Sequence, residues 1–240
     1  MAIQQKPCTW PRPVGCGDWA SGLPTLAGDR VSLREVRGGD AASLVRYLTA
    51  PPVARFIAPA PPTTAGFARF IRWSHAQRRK GTHLSFGIVP ANSGTAVGVI
   101  QFWAVEADFA TAEWGFALGE PFWGTGLFVE AARLALNFAF ETLHVKRLEA
   151  RSVDRNNRGN GILRKLGATP EGTLRNGFRS GGSVRNHVMW SLLAEEWRAG
   201  SISGVFAPRP ALGTIDGGGS RLSLATAEGD AAELCAAGCR

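Results

Sequence analysis

The sequence predicts an α/β fold, a mixed sheet with helices packed on it. Three observations lead there. Short apolar runs of strand character alternate with longer runs whose apolar residues recur at helical spacing. Two of the strand-like runs are joined by Asn92-Ser93-Gly94, a hairpin signal. A glycine-rich turn, Gly119 to Gly126, separates a strand from the strongest helix.

Length and composition bound the answer. The chain has 240 residues, which suits one domain with tails. Hydrophobic residues are 45% and charged residues 19%, enough apolar material to exclude a wholly disordered chain. The net charge of +8 favours anionic partners: nucleic acid, an acidic surface or a phosphate-bearing ligand. No apolar run approaches the ~18 residues of a membrane span. Met1 to Trp19 has no continuous apolar stretch, so no secretory signal and a cytoplasmic location are expected. Cys8, Cys16, Cys235 and Cys239 sit at the extremities without metal-ligand spacing and read as incidental thiols.

Three regions follow in order. Residues 1–24 read as an irregular arm broken by prolines and glycines, 25–200 as the folded body, and 201–240 as a flexible small-residue tail. Within the body, Arg30 to Glu35 is a strand. Asp40 is an N-cap for a helix through Leu48, stopped by Pro51-Pro52. A second helix runs from Thr64 to Lys80 and closes on Arg78-Arg79-Lys80, a basic end that suits the helix dipole and reads as solvated. His83 to Val89 and Val97 to Val105 form the hairpin, and Ala112 to Leu118 the next strand. Leu127, Ala131, Leu134 and Phe138 define a helix to Leu143. Arg147 to Val153 is a strand, Asn160 to Leu166 a short helix ended by Gly167, and Val184 to Leu193 a last strand.

The turn between Ala112–Leu118 and the long helix is the most informative stretch. Backbone N–H groups that converge at a helix start bind anions. Gly119 and Gly124 have the spacing of a nucleotide-triphosphate loop, but Thr125 stands where its lysine belongs. Gly124 and Gly126 begin a dinucleotide fingerprint, but Val129 fills its third glycine position. A diphosphate turn remains, beside the plainer reading of a tight turn that packs helix on strand.

The order AEWGFAL, EPFWGTGL, a helix carrying Glu130-Ala131, KRLEARSV, then Asn156 through Leu163 with Lys165-Leu166-Gly167, resembles a GNAT acetyltransferase. It is most similar to the ribosomal-protein N-acetyltransferase (RimJ/RimL) group, over about 26–197. The resemblance implies a mostly antiparallel central sheet flanked by helices, acetyl-CoA as acetyl donor, and direct attack of a primary amine on the thioester. It also assigns residues. Phe116, Ala117 and Leu118 would pair with the pantetheine arm. Trp123, Gly124, Thr125, Gly126, Leu127 and Phe128 would hold the diphosphate, and Asn156 would contact the coenzyme.

For the chemistry, Glu113 is the candidate base. Strand alternation puts it on one face with Gly115 and Ala117, with Trp114, Phe116 and Leu118 opposite. A salt bridge to a neighbour such as Arg151 is the other reading of the same carboxylate. Relatives carry Tyr where this chain has Leu163 and Ser where it has Gly159, so Ser152 or a water is the candidate acid for the leaving thiolate. The only tyrosine, Tyr47, is far away in sequence. His75, His83, His144 and His187 read as surface or structural residues. Trp103 and Trp123 are candidates to line the acceptor cleft.

A free α-amine has a pKa near ~7.7–8.0 against ~10.4 for lysine, so a protein or peptide N-terminus needs only modest base assistance. It is the preferred acceptor. A small amine such as an aminoglycoside or amino acid, or a catalytically weak acyl-CoA-binding module, are the alternatives. No Lys/Arg stripe interleaved with aromatics points to nucleic acid. A monomer and a homodimer both fit this reading.

Overall fold

The computed structural model describes residues 19–203. Eight strands make one sheet: β1 (Leu26–Ala27), β2 (Val31–Glu35), β3 (His83–Pro90), β4 (Gly98–Ala104), β5 (Thr111–Leu118), β6 (Arg147–Val153), β7 (Thr169–Ser180) and β8 (Ser183–Leu193). Their order is β1-β2-β3-β4-β5-β6-β8-β7, and all neighbours are antiparallel except β5 and β6. Six α-helices accompany them: α1 (Ala41–Leu48), α2 (Pro51–Ala54), α3 (Thr64–Arg79), α4 (Leu127–Asn137), α5 (Asn157–Lys165) and α6 (Ala194–Ser203). This is the mixed, mostly antiparallel α/β architecture expected.

Alternation along the strands divides the core in two. Val89, Val99 and Ala117 face α1 and α3, where Leu44, Leu48, Phe67, Phe70 and Ile71 are buried. Phe86, Ile100, Phe102 and Trp114 face α4, where Ala131, Ala135 and Leu136 are fully covered. Burying each large apolar side chain contributes about 1.5–3 kcal/mol. The small alanines of α4 let that helix lie close to the sheet, and this fixes where its N-terminus points.

Several local expectations are corrected. Asp40 does not cap α1 with its side chain. Its buried carboxylate instead accepts both Arg34 Nη atoms at 2.7 Å and the N–H groups of Arg37 and Ala96 at 2.9 and 3.0 Å. Burial alone pushes that carboxyl up, but these bonds outweigh it and hold it below its ordinary value. Arg78 is not solvated. It is 5% exposed, donates to Glu35 Oε1 at 2.6 Å and to the Ala20 carbonyl, and so ties α3 to β2 and the incoming chain.

Pro51-Pro52 ends α1 yet starts α2, because proline is tolerated in a first helical turn. The long helix leaves α geometry at Phe138, where one π turn runs to Thr142. β7 and α6 were not expected. β7 absorbs its Pro and Gly residues in register shifts at Pro170/Gly172 and Leu174/Phe178, which erase a regular alternation. Trp19, placed in the arm by the sequence, is 6% exposed and packs edge-on against Phe109. Residues 1–18 of the arm, the tail beyond 203 and all four cysteines lie outside the described residues.

Candidate active site

β5 and β6 pair only through Thr111↔Arg147, Ala112↔Leu148 and Glu113↔Glu149, then part. Both strands remain bonded on their outer sides, β5 to β4 as far as Leu118 and β6 to β8 as far as Val153. The sheet therefore opens in a V with Glu113 at the vertex. Gly119 N–H donates to the carbonyl of Val97, the residue before β4, so the odd residues of β5 turn their backbone groups to β4 and the even ones turn theirs away. Trp114 and Phe116 thus present N–H and C=O to the gap. Ala117 faces Val99 of β4, and the Leu118 carbonyl accepts the Trp123 indole N–H at 2.9 Å. Of the three residues assigned to the pantetheine arm, Phe116 offers both backbone groups to the gap and Leu118 only its N–H.

The gap deepens into an open cleft. Gln101 and Trp103 of β4, Arg151 and Ser152 of β6, and Asn156 and Gly159 at the start of α5 line it, with Phe56 and Ile57 reaching over from the far side.

The glycine turn sits at the open end of β5. A 3-10 turn, Glu120–Phe122, leads to Trp123. Gly124 and Gly126 follow at φ of 73° and 80°, left-handed conformations that other residues adopt only with strain. Thr125 Oγ1 donates to Phe122 O at 2.9 Å and accepts the Leu127 N–H at 3.3 Å. The N–H groups of Gly124, Thr125, Gly126 and Phe128 have no partner among the described residues. Four open donors beside the N-terminus of α4 are an anion cradle, and they fit the diphosphate expected there.

Arg30 holds the turn from behind and was not anticipated. Its backbone N–H and its Nε donate to the two Glu130 carboxylate oxygens at 3.0 and 3.1 Å, and its Nη1 donates to Thr125 O at 3.2 Å. The Arg30 amide first, and its guanidinium after, hold Glu130 below the usual carboxylate range against the opposing effect of burial. Arg30 and Glu130 are 100 positions apart, so no local spacing announces the pair.

Glu113 is 3% exposed and lies 3.6 Å from Arg151 Nη2. The ion-pair reading is therefore realised. The carboxylate sits behind the cleft wall rather than among its lining residues, where Arg151 is. On the same face, the amide oxygen of Gln101 accepts from His83 Nε2 at 3.2 Å and from the Ser85 hydroxyl at 3.4 Å. Burial pushes the His83 imidazole down to about 3, so it is neutral at pH 7. Gln101 is a cleft residue that sequence reasoning missed; its signal is an amide in the otherwise apolar run GVIQFWA.

Ser152 is 7% exposed, and its hydroxyl has no partner among the described residues. It lines the cleft beside Gly159. A Cβ on Gly159 would stand 2.5 Å from Asn156 Nδ2, so helix and strand meet where no side chain fits. Asn156 caps α5 by accepting the Gly159 N–H at 3.0 Å, which starts that helix three residues before the expected Asn160. The structure thus brings Ser152, Asn156 and Phe116 to one cleft and sets Glu113 at its vertex. Tyr47 packs under Gly119 and edge-on to Phe122, away from Leu163. His187 is fully buried, and burial first and Arg151 second push it down to about 4.

A parallel pair that splays beside a helix start with open N–H groups offers a strand edge and an anion-binding turn at the mouth of one gap. Residues 30–169 match the family model described as the acetyltransferase (GNAT) domain, and the chain belongs to that family. It is 28% identical over 176 residues to the uncharacterized N-acetyltransferase p20 of Bacillus licheniformis, covering 73% of this chain and 99% of that one. It is 28% identical over 123 residues to the ribosomal protein uS5-alanine N-acetyltransferase of Escherichia coli (strain K12), covering 51% of this chain and 63% of that enzyme. The ribosomal-protein-S5-alanine acetyltransferase structure from Vibrio fischeri superposes with a TM-score of 0.66 at 17% identity, over 72% of this chain and 98% of that one. At that identity the likeness shows the fold. Among the described residues, no helix is long and apolar enough to cross a membrane.

Proposed function

We propose that this acetyltransferase moves an acetyl group from acetyl-CoA to the N-terminal α-amine of a protein or peptide. The observation that carries the reading is the V between β5 and β6 with four unpartnered N–H groups at its mouth. The N–H groups of Gly124, Thr125, Gly126 and Phe128 hold the diphosphate. The free edges of Trp114 and Phe116 hold the amide-bearing arm, as a strand edge holds an extended peptide. The donor supplies a thioester carbonyl to be attacked and a thiolate to leave.

The chain's residues then position and move protons. The amine nitrogen forms its bond to the acetyl carbon as the carbon–sulfur bond breaks. The proton released by the amine passes through water to Glu113, because that carboxylate is set back from the cleft. Arg151 pairs with it and orients it. The Ser152 hydroxyl, free of other partners, hydrogen-bonds the leaving sulfur as water supplies its proton. An α-amine near ~7.7–8.0 keeps a substantial neutral share at physiological pH, so this remote base suffices, where a lysine near ~10.4 demands far more. The apolar cover of Phe56 and Ile57 keeps the amine poorly hydrated and so neutral.

Thiol release with matched peptides tests this. A peptide with a free α-amine reacts faster than the same peptide with a blocked N-terminus and one lysine. Faster turnover of the lysine peptide, or of aminoglycosides and free amino acids, contradicts the assigned acceptor.

A further inference from the structure

One contact at the mouth of the V remains without a role. The guanidinium of Arg158, in the first turn of α5, lies over the Trp123 ring, 4.4 Å from its centre. The two residues come from opposite walls of the gap: Trp123 from the segment after β5, Arg158 from the segment after β6. Trp123 is anchored, because its indole N–H is bonded to Leu118 O. Arg158 is exposed and forms no ion pair among the described residues. A cation that lacks a carboxylate thus rests on an aromatic face one residue before the first open N–H of the cradle.

The exposed Arg158 guanidinium is held only weakly on the half-buried Trp123 ring, whereas its flat fork binds phosphate oxygens in pairs. We infer that Arg158 is a phosphate-binding residue for the donor, parked on Trp123 across the mouth of the V until a phosphate-bearing thioester displaces it. This rests on the proposed placement of the donor at the glycine turn. The exchange of ring for phosphate favours donors that carry the anion. Truncated thioesters gain nothing from it.

Calorimetric titration with coenzyme A and with pantetheine, which has no phosphate, tests the assignment. Arg158→Ala weakens coenzyme A about tenfold and leaves pantetheine within about twofold, while Arg158→Lys recovers part of the loss. Coenzyme A also changes the tryptophan emission of the wild type, and Trp123→Phe removes most of that change. Unchanged thermal unfolding shows that each variant is folded. If the wild type prefers coenzyme A and Arg158→Ala weakens both ligands alike or neither, the role given to Arg158 is wrong and the placement of the donor stands. If the wild type binds coenzyme A no better than pantetheine, the placement fails and this inference fails with it.

Discussion

A Cβ added to Gly159 would stand 2.9 Å from the hydroxyl of Ser152, so α5 meets β6 at a distance that only glycine permits. The hydroxyl of β6 takes the space a side chain on α5 would claim. Gly159→Ser forces Ser152 or the Asn156 cap aside and costs about 1–3 kcal/mol, read as a lowered midpoint of urea unfolding. Gly159→Ser combined with Ser152→Ala recovers part of that loss. Equal stability of the two Gly159→Ser proteins contradicts the steric account.

Ser152→Ala separates stability from activity. The hydroxyl is buried without a partner, so its removal stabilises the fold by about 1 kcal/mol. The same change removes the donor to the leaving sulfur and lowers kcat about tenfold. A variant that is both less stable and equally active excludes the role assigned to this serine.

Glu113→Gln distinguishes proton acceptance from a structural ion pair with Arg151. The variant is about tenfold slower at pH 7 with an unchanged KM for acetyl-CoA. The deficit shrinks as pH rises toward 9, because the acceptor amine then loses its proton to solvent. A deficit that stays constant across this range assigns Glu113 to structure alone.

Acid stability follows from two buried imidazoles. His83 and His187 are held down to about 3 and about 4, against 6.5 in an unfolded chain. Above pH 6.5 both are neutral in either state, and their contribution to stability is fully present. Below it the unfolded chain takes up protons that the fold refuses, so stability falls until the folded pKa values are reached. The loss is on the order of a few kcal/mol by about pH 5. Thermal unfolding from pH 7 to 5 shows it, and His187→Asn flattens the fall. A midpoint independent of pH in this window contradicts the neutral assignment.

The fold was legible because its signals are local. The AEWGFAL alternation, the apolar periodicity after Leu127 and the left-handed demands of Gly124 and Gly126 each survive in a short window. β7 was illegible because bulges at Pro170/Gly172 and Leu174/Phe178 break its period. Asp40 and Arg78 were misread because a capping acid and a solvated basic helix end look the same in sequence as halves of distant ion pairs. The site divides the same way. The glycine turn and Ser152 could be named from neighbours along the chain, whereas Arg30, Gln101 and the retreat of Glu113 behind the cleft wall depend on partners brought together by the sheet.

In the proposed function, the Gly124–Phe128 turn binds the donor through its own backbone. Amide-resolved NMR during titration with acetyl-CoA reads this directly. The account predicts the largest N–H shifts, and new protection from hydrogen exchange, at Gly124, Thr125, Gly126 and Phe128, with smaller shifts at Trp114 and Phe116. Binding that leaves those four amides unmoved, or no binding at all, contradicts it.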